Sequence, residues 1–175
     1  MSRDILILIC LAVFSLFLGL SINHFRKDPL PWIYCSKVER LNQAISNIQG
    51  VSDALVGKGS LVLDKDLSLS EFKVLVAQPE TVILDARPEI FYRLGHIPGA
   101  ISMPRDDFEA GYAKIRNRLE AQKDRHLVVY CSDSECEDSI MVQRALIQLG
   151  YVHVQAFRGG WDAWISSNMP TEKDQ

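Results

Sequence analysis

The chain has 175 residues, of which 47% are hydrophobic, and a formal net charge of -3. This length suits one compact domain with an additional segment, and the acidic balance gives no reason to expect nucleic-acid binding. The four cysteines, Cys10, Cys35, Cys131 and Cys136, are too few and too scattered to indicate a small disulfide-built domain. Each cysteine is therefore interpreted in its local sequence.

The most apolar segment lies at the start of the chain. Ile5 to Ile22, ILILICLAVFSLFLGLSI, runs for 18 residues without a charge. At about 1.5 Å per residue, a helix of this length nearly matches a hydrocarbon core of roughly 30 Å. A cleaved signal peptide is the alternative, but Asp4 offsets Arg3 and no small-residue cleavage motif precedes Asn23. We interpret the segment as a retained membrane anchor.

Basic residues near the apolar segment indicate its orientation. Arg3 precedes the segment, whereas Arg26, Lys27, Lys37 and Arg40 follow it. Because basic residues are retained on the cytoplasmic side, this distribution favours a cytoplasmic C-terminal domain. A periplasmic domain is the alternative.

A linker is predicted between the anchor and the main domain. The prolines in DPLPW (residues 28–32) interrupt any regular helix, and Trp32 suits a membrane interface. KVERLNQAISNIQG then predicts an amphipathic helix ending at Gly50, with apolar residues at Val38, Leu41, Ala44, Ile45 and Ile48. The predicted organisation is an anchor over residues 1–27, a linker with an amphipathic helix over 28–58, and a main domain over 59–172.

The main domain alternates short apolar runs with helical patterns. Strands are predicted in SLVLD (60–64), TVILD (81–85), LVVYC (127–131) and VHVQAF (152–157). Helices are predicted after the capping box Ser68-x-x-Glu71, over 106–121 with a cap at Asp106-x-x-Glu109, over 139–150, and from GGWDAWISS (159–167). This alternation predicts an α/β domain with a mainly parallel sheet.

Cys131 occupies a distinctive position in this pattern. It lies at the C-terminal end of a predicted central strand and directly before a loop that leads into a helix. Ligands of open α/β sheets bind at such strand ends, and loop amides together with a helix N-terminus can stabilise an anion. The position therefore suits a reactive thiolate.

Five motifs in sequence order resemble the rhodanese-like domain of the sulfurtransferase superfamily, over residues 67–170. They are LDAR (84–87), GHIPGAISMP (95–104), VVYC (128–131), LGY (149–151) and FRGGWDAW (157–164). The resemblance implies a three-layer α/β domain with a parallel sheet. With the N-terminal transmembrane helix, the chain is also similar to a membrane-anchored bacterial branch, which implies a single-pass protein of the bacterial inner membrane.

The resemblance also implies an activity. Cys131 would take sulfane sulfur from a persulfide, a polysulfide or thiosulfate, hold it as a persulfide, and pass it to a thiol acceptor. No metal and no cofactor are implied. Asp85, Arg87 and His96 would be structural or pocket residues, with His96 a hydrogen-bonded support instead of a base. The active-site loop would comprise Ser132, Asp133, Ser134, Glu135, Glu137, Asp138 and Ser139.

The loop departs from the family pattern. It is about two residues longer than is typical, and it contains no glycine and no cation. Glu137 stands where a C-x5-R phosphatase requires arginine, which disfavours phosphate-ester chemistry. The loop carries four carboxylates, those of Asp133, Glu135, Glu137 and Asp138. We expect them to repel the thiosulfate dianion and therefore to make turnover of thiosulfate weak.

Cys136 offers a reason for this unusual loop. It follows Cys131 closely enough to approach within the Cα separation of about 7 Å that a disulfide requires, so it could resolve a persulfide on Cys131 by forming a disulfide and releasing sulfide. Alternatively, Cys136 is a small buried residue that shapes the loop. Three functions follow as hypotheses: a sulfurtransferase, a thiol-disulfide redox protein that uses both cysteines, or a non-catalytic binding module on a rhodanese scaffold.

Overall fold

A computed structural model gives the fold of the chain, and it describes residues 3–26, 36–48, 67–121 and 125–174. The chain divides into two units, Met1–Cys35 and Ser36–Gln175. In the first unit, helix α1 spans Arg3–Phe25. Its segment Asp4–Phe25 contains an 18-residue window with a mean hydropathy of 2.9 and is long and apolar enough to cross a membrane, a test that an N-terminal signal sequence also passes.

The second unit is built around a four-stranded parallel sheet with the order β2-β1-β3-β4. The strands are β1 (Val82–Asp85), β2 (Ile101–Ser102), β3 (Leu127–Tyr130) and β4 (Val154–Phe157). Every residue of β1 and β3 is buried, as expected for apolar runs that do not alternate. Three of the predicted strands are confirmed, while the predicted strand SLVLD lies outside the described residues.

Helices cover both faces of the sheet. One face carries α2 (Lys37–Asn47), α5 (Phe108–Glu120) and α6 (Asp138–Gln148). The other carries α3 (Leu69–Val76) and α7 (Gly160–Ser166), whose Phe72 and Trp164 pack in one apolar cluster with Phe157. A short helix, α4 (Glu89–Leu94), follows β1, and a 3-10 helix (Arg105–Asp107) precedes α5. The predicted three-layer α/β architecture is confirmed.

Local hydrogen bonds explain where several helices begin. The capping box predicted at Ser68 and Glu71 is present at the start of α3. A second box, at Ser36 and Glu39, begins α2 and was not anticipated from the sequence. The cap predicted at Asp106 is wrong, because residue 107 occupies the N-cap without a side-chain bond and Asp106 pairs with Arg105.

The amphipathic helix predicted after the linker is confirmed as α2. Its buried residues are Leu41 and Ile45, and Ile48 is buried just beyond its end. Val38, expected in the apolar stripe, lies in the first turn of the helix and is instead 52% exposed. The helix end predicted at Gly50 lies outside the described residues.

Candidate active site at the carboxyl ends of the strands

Cys131 directly follows β3 and is 2% exposed. The start of α7 holds the backbone at this point: Trp161 N–H donates to the Cys131 carbonyl over 2.8 Å, and Asp162 N–H donates to the Ser132 carbonyl over 2.9 Å. Gly160 has a φ of +62° and lies against both carbonyl oxygen atoms. The glycine turn that opens α7 therefore fixes the exit of the chain from β3.

Cys131 and Cys136 are joined by a disulfide, and their Cα atoms are 6.2 Å apart. This separation lies within the ordinary range for disulfides. The bond closes the loop on itself, with Cys136 N–H donating to the Asp133 carbonyl over 3.3 Å. The structure therefore brings together the two cysteines that the sequence placed in one loop.

The polar side chains of the loop have different environments. Asp133 accepts a hydrogen bond from Glu135 N–H over 2.8 Å, so its carboxylate shapes the turn. Ser134, Glu135 and Glu137 are exposed. Ser139 lies in the first turn of α6 with its hydroxyl oxygen buried, and among the described residues that atom has no hydrogen-bond partner. Within the described part of the chain, the disulfide form thus leaves this buried side-chain oxygen unsatisfied.

Among the residues that the structure describes, three cations from other elements reach this acidic loop. Arg105 Nε lies 2.8 Å from Asp138 Oδ1, and Lys37 Nζ lies 3.8 Å from the same oxygen. Arg158, which follows β4, donates to the Ser134 carbonyl over 3.2 Å. The loop itself contains no cation, and none of these three residues was predicted to contact it. For Arg105, the available sequence signal was its position directly after the GHIPGAISMP motif.

Cys131, Cys136 and Asp138 are the described residues that could hold a metal ion, since each offers a ligand atom within 4.8 Å of the others. In this structure the two sulfur atoms are bonded to each other, and the carboxylate is paired with two cations. Metal binding would require both the disulfide and these ion pairs to change. The donor set is therefore better suited to thiol and disulfide chemistry.

Asp85 and Arg87 form a buried network behind the loop. Arg87 Nη2 lies 2.6 Å from Asp85 Oδ2 and donates to the Gly95 carbonyl over 2.7 Å. Tyr130 donates its hydroxyl to Asp85 Oδ2 over 2.6 Å, and the Arg87 guanidinium lies over the Trp161 ring at 4.5 Å. Burial, followed by the Asp85 charge, raises the pKa of Tyr130. Burial alone would lower the pKa of Arg87, but its hydrogen bond and attraction to Asp85 leave that pKa raised.

His96 lies in a separate arrangement of contacts. Its ring stacks on Tyr92 with centroids 3.9 Å apart, and Nδ1 is 3.0 Å from the Tyr92 carbonyl oxygen. Nε2 lies 3.7 Å from a Glu172 carboxylate oxygen, and the backbones of His96 and Glu172 exchange two hydrogen bonds. These contacts join the segment after α4 to the C-terminal segment.

The fold and the loop together define a class: a parallel α/β domain with a cysteine at the carboxyl end of a central strand. The rhodanese-like domain model matches residues 68–167, and the chain belongs to that family. The tRNA uridine(34) hydroxylase of Erwinia tasmaniensis is 30% identical over 95 residues, covering 54% of this chain and 26% of that protein. The Streptococcus pneumoniae protein of the same name is 34% identical over 90 residues, covering 50% and 27%.

A solved structure agrees with this assignment. The crystal structure of a thiosulfate sulfurtransferase from Pseudomonas aeruginosa is similar with a TM-score of 0.51 and 29% identity, and the match covers 63% of this chain and 20% of that one. The chain spans about a quarter of the length of the two tRNA uridine hydroxylases. The likeness therefore concerns the shared domain, and α2 lies before the residues that the family model matches.

Proposed function

We propose that this protein is a membrane-anchored sulfurtransferase that carries sulfane sulfur as a persulfide on Cys131. The observation that carries the proposal is the buried Cys131 at the end of β3, bonded to Cys136 across a loop that leads into α6. Membership of the rhodanese-like family supports the assignment to sulfur chemistry. The tRNA hydroxylation named for relatives belongs to longer proteins, and only the shared domain enters the proposal.

The cycle begins with the disulfide reduced by a thiol reductant, which supplies two electrons and leaves two thiols. The Cys131 thiolate attacks the outer sulfur of a donor persulfide, RS–SH, and RS⁻ leaves with the electrons of the broken S–S bond. An acceptor thiolate then attacks the outer sulfur of the Cys131 persulfide and regenerates the Cys131 thiolate. Amides of the loop and the N-terminus of α6 would stabilise the anionic forms.

Cys136 provides a second fate for the bound sulfur. Its thiolate attacks the inner sulfur of the Cys131 persulfide, so that HS⁻ leaves and the Cys131–Cys136 disulfide forms. The bonded pair in the structure corresponds to the product of this step. A thiol reductant then restores the starting state. The pair would thus release sulfide when no acceptor thiol is bound.

The charge of the loop favours donors that are not small dianions. Glu135 and Glu137 are exposed at the loop, and a unit charge at about 4 Å in water is worth about 1 kcal/mol before screening by salt. A neutral persulfide or a protein-bound donor avoids this repulsion, whereas thiosulfate does not. We therefore expect weak turnover of thiosulfate.

Intact-mass spectrometry of the full chain in detergent tests the proposal. Cys10 and Cys35 are replaced by Ser, and the reduced protein is then exposed to glutathione persulfide. We expect a transient gain of one sulfur followed by the disulfide. Cys136→Ser should accumulate the persulfide, whereas Cys131→Ser should gain no sulfur. An equal gain of sulfur in Cys131→Ser would refute the carrier role.

The disulfide itself favours a second candidate function, that of a thiol-disulfide redox protein. In that case the reduced pair would exchange with a partner disulfide without retaining sulfane sulfur. Cyanide distinguishes the two functions, because it removes sulfane sulfur as thiocyanate and leaves the Cys131 thiolate. Thiocyanate formation that depends on Cys131 supports the carrier, whereas its absence together with reversible disulfide exchange supports the redox protein.

We also propose that α1 holds the domain at the bacterial inner membrane, with the domain in the cytoplasm. The length and hydropathy of Asp4–Phe25 support the anchor, and the basic residues after it support the orientation. Protease digestion of intact spheroplasts checks the orientation. A cytoplasmic domain is protected until the membrane is opened, whereas a periplasmic domain is cut at once.

A further inference from the structure

Asp138 creates an electrostatic problem for a site that holds a sulfur anion. One of its carboxylate oxygen atoms lies within 4.8 Å of both cysteine sulfur atoms. A negative charge at this distance disfavours a neighbouring anion and so raises the pKa of a thiol. Unless it is compensated, Asp138 opposes the thiolate that must attack the donor.

The two cations that pair with Asp138 differ in burial. The Arg105 side chain is 3% exposed and lies 2.8 Å from Asp138 Oδ1, whereas the Lys37 side chain is 56% exposed and lies 3.8 Å away. Water and salt screen an exposed ion pair strongly. An arginine side chain also keeps its charge at every pH in the working range of a protein. Arg105 is therefore the main source of compensation.

We propose that Arg105 is a positioning residue for the sulfur chemistry of Cys131. By pairing with Asp138, the first residue of α6, it holds that helix start beside the cysteine pair and cancels the repulsion between the carboxylate and the Cys131 thiolate. This inference rests on the proposed function only in that Cys131 must act as a thiolate. It adds Arg105 to the active site from outside the cysteine loop, since this residue lies in the 3-10 helix before α5.

Other charged groups belong to the loop or to the elements that contact it, and they stay constant in the test. From the loop itself and its neighbouring elements these are Asp133, Glu135, Glu137, Asp106 of the 3-10 helix, Lys37 of α2, Arg158 after β4 and Asp162 of α7. Because every variant below retains them, a difference between variants reports the Arg105–Asp138 pair.

The test measures the pH dependence of Cys131 alkylation in the full chain. Cys10, Cys35 and Cys136 are replaced by Ser, so that Cys131 is the one thiol left. The rate of reaction with iodoacetamide is followed by intact mass, and its midpoint in pH reports the pKa of the thiol. Arg105→Met should raise this midpoint by about one pH unit, whereas Arg105→Lys should keep it close to that of the parent.

Changes at Asp138 give the opposite sign. Asp138→Asn leaves the Arg105 charge in place and should lower the midpoint, and the double variant Arg105→Met/Asp138→Asn should return near the parent. A purely structural role for Arg105 gives no such pair of opposed shifts. The proposal fails if both single variants move the midpoint in the same direction or if neither moves it.

Two further outcomes keep the test decisive. If Arg105→Met does not fold, Asp138→Asn and the double variant still decide, because the double variant leaves no unpaired Asp138 carboxylate beside the sulfur atoms. Persulfide loading of the parent is measured separately. If the midpoints shift as expected but no sulfur loads, the role of Arg105 stands and the carrier function fails.

Discussion

Gly160 offers a direct test of how closely α7 holds the active-site loop. Its φ is +62°, and a Cβ placed there would lie 2.7 Å from the carbonyl oxygen atoms of Cys131 and Ser132. Contacts of a real Cβ below 3.0 Å are essentially never seen, and here the opposing atoms belong to the backbone. Gly160→Ala therefore introduces backbone strain and also forces the loop away from α7.

The two effects can be given approximate magnitudes. A left-handed backbone conformation costs a non-glycine residue about 1 to 2 kcal/mol. Moving the loop also weakens the hydrogen bonds that α7 donates to Cys131 and Ser132, each of which contributes about 1 kcal/mol. We expect Gly160→Ala to lower the free energy of unfolding by about 3 kcal/mol in total, and to displace Cys131 from its place after β3.

Gly99 supplies a matched control. Its φ is +74°, but nothing lies within 4 Å of the position where a Cβ would be. Gly99→Ala should therefore show the strain alone, about 1 to 2 kcal/mol. Urea unfolding of the full chain in detergent, followed by tryptophan fluorescence, measures both variants. If Gly160→Ala is no less stable than Gly99→Ala, the close packing of α7 on the loop does not contribute to stability as argued.

Three further changes have defined outcomes. Tyr130→Phe should cost about 2 kcal/mol, because Asp85 loses a short hydrogen bond. Burial raises the Tyr130 pKa above its ordinary value of 10.0, so the stabilisation is complete below about pH 10 and falls as pH rises. Tyr130→Phe should therefore lose stability less steeply than the parent above about pH 10 in urea titrations. Ser139→Ala should leave the free energy of unfolding of the disulfide form unchanged or raise it by less than about 1 kcal/mol, since the buried hydroxyl has no partner among the described residues; a clear loss in thermal unfolding would contradict this. Glu135→Gln/Glu137→Gln should speed thiosulfate loading about fivefold at low salt without changing loading from glutathione persulfide, and an effect that persists at high salt would argue against charge repulsion.

Much of the domain could be predicted because its signals are local. The strands β1 and β3 are short apolar runs that are buried on both faces, and the pattern Ser68-x-x-Glu71 carries the physical cap of α3 within four residues. Glycines with positive φ close α6 at Gly150 and open α7 at Gly160. For these three helices, the sequence contains the residue that begins or ends the helix.

Two elements between β1 and α5 were missed because they depend on tertiary contacts. Helix α4 has six residues and none of them is buried, so it lacks the apolar periodicity by which a helix is recognised. Strand β2 has two residues, and its pairing with β1 defines it. Glu89, in the first turn of α4, bonds to Ser102 and Arg93, while Arg87 bonds to Asp85.

The electrostatics of the loop could not be judged from residues 131–139 alone. Within that stretch the sequence shows four carboxylates and no cation, yet the cations that reach it arrive from α2, the 3-10 helix and the segment after β4. The 3-10 helix follows β2 and Arg158 follows β4, and both meet the loop because parallel strands end at one edge of the sheet. Asp138 is thereby paired, whereas Glu135 and Glu137 are exposed. The charge that a donor meets is consequently set by these two exposed residues, and the charge that the sulfur meets is set by the pairing of Asp138.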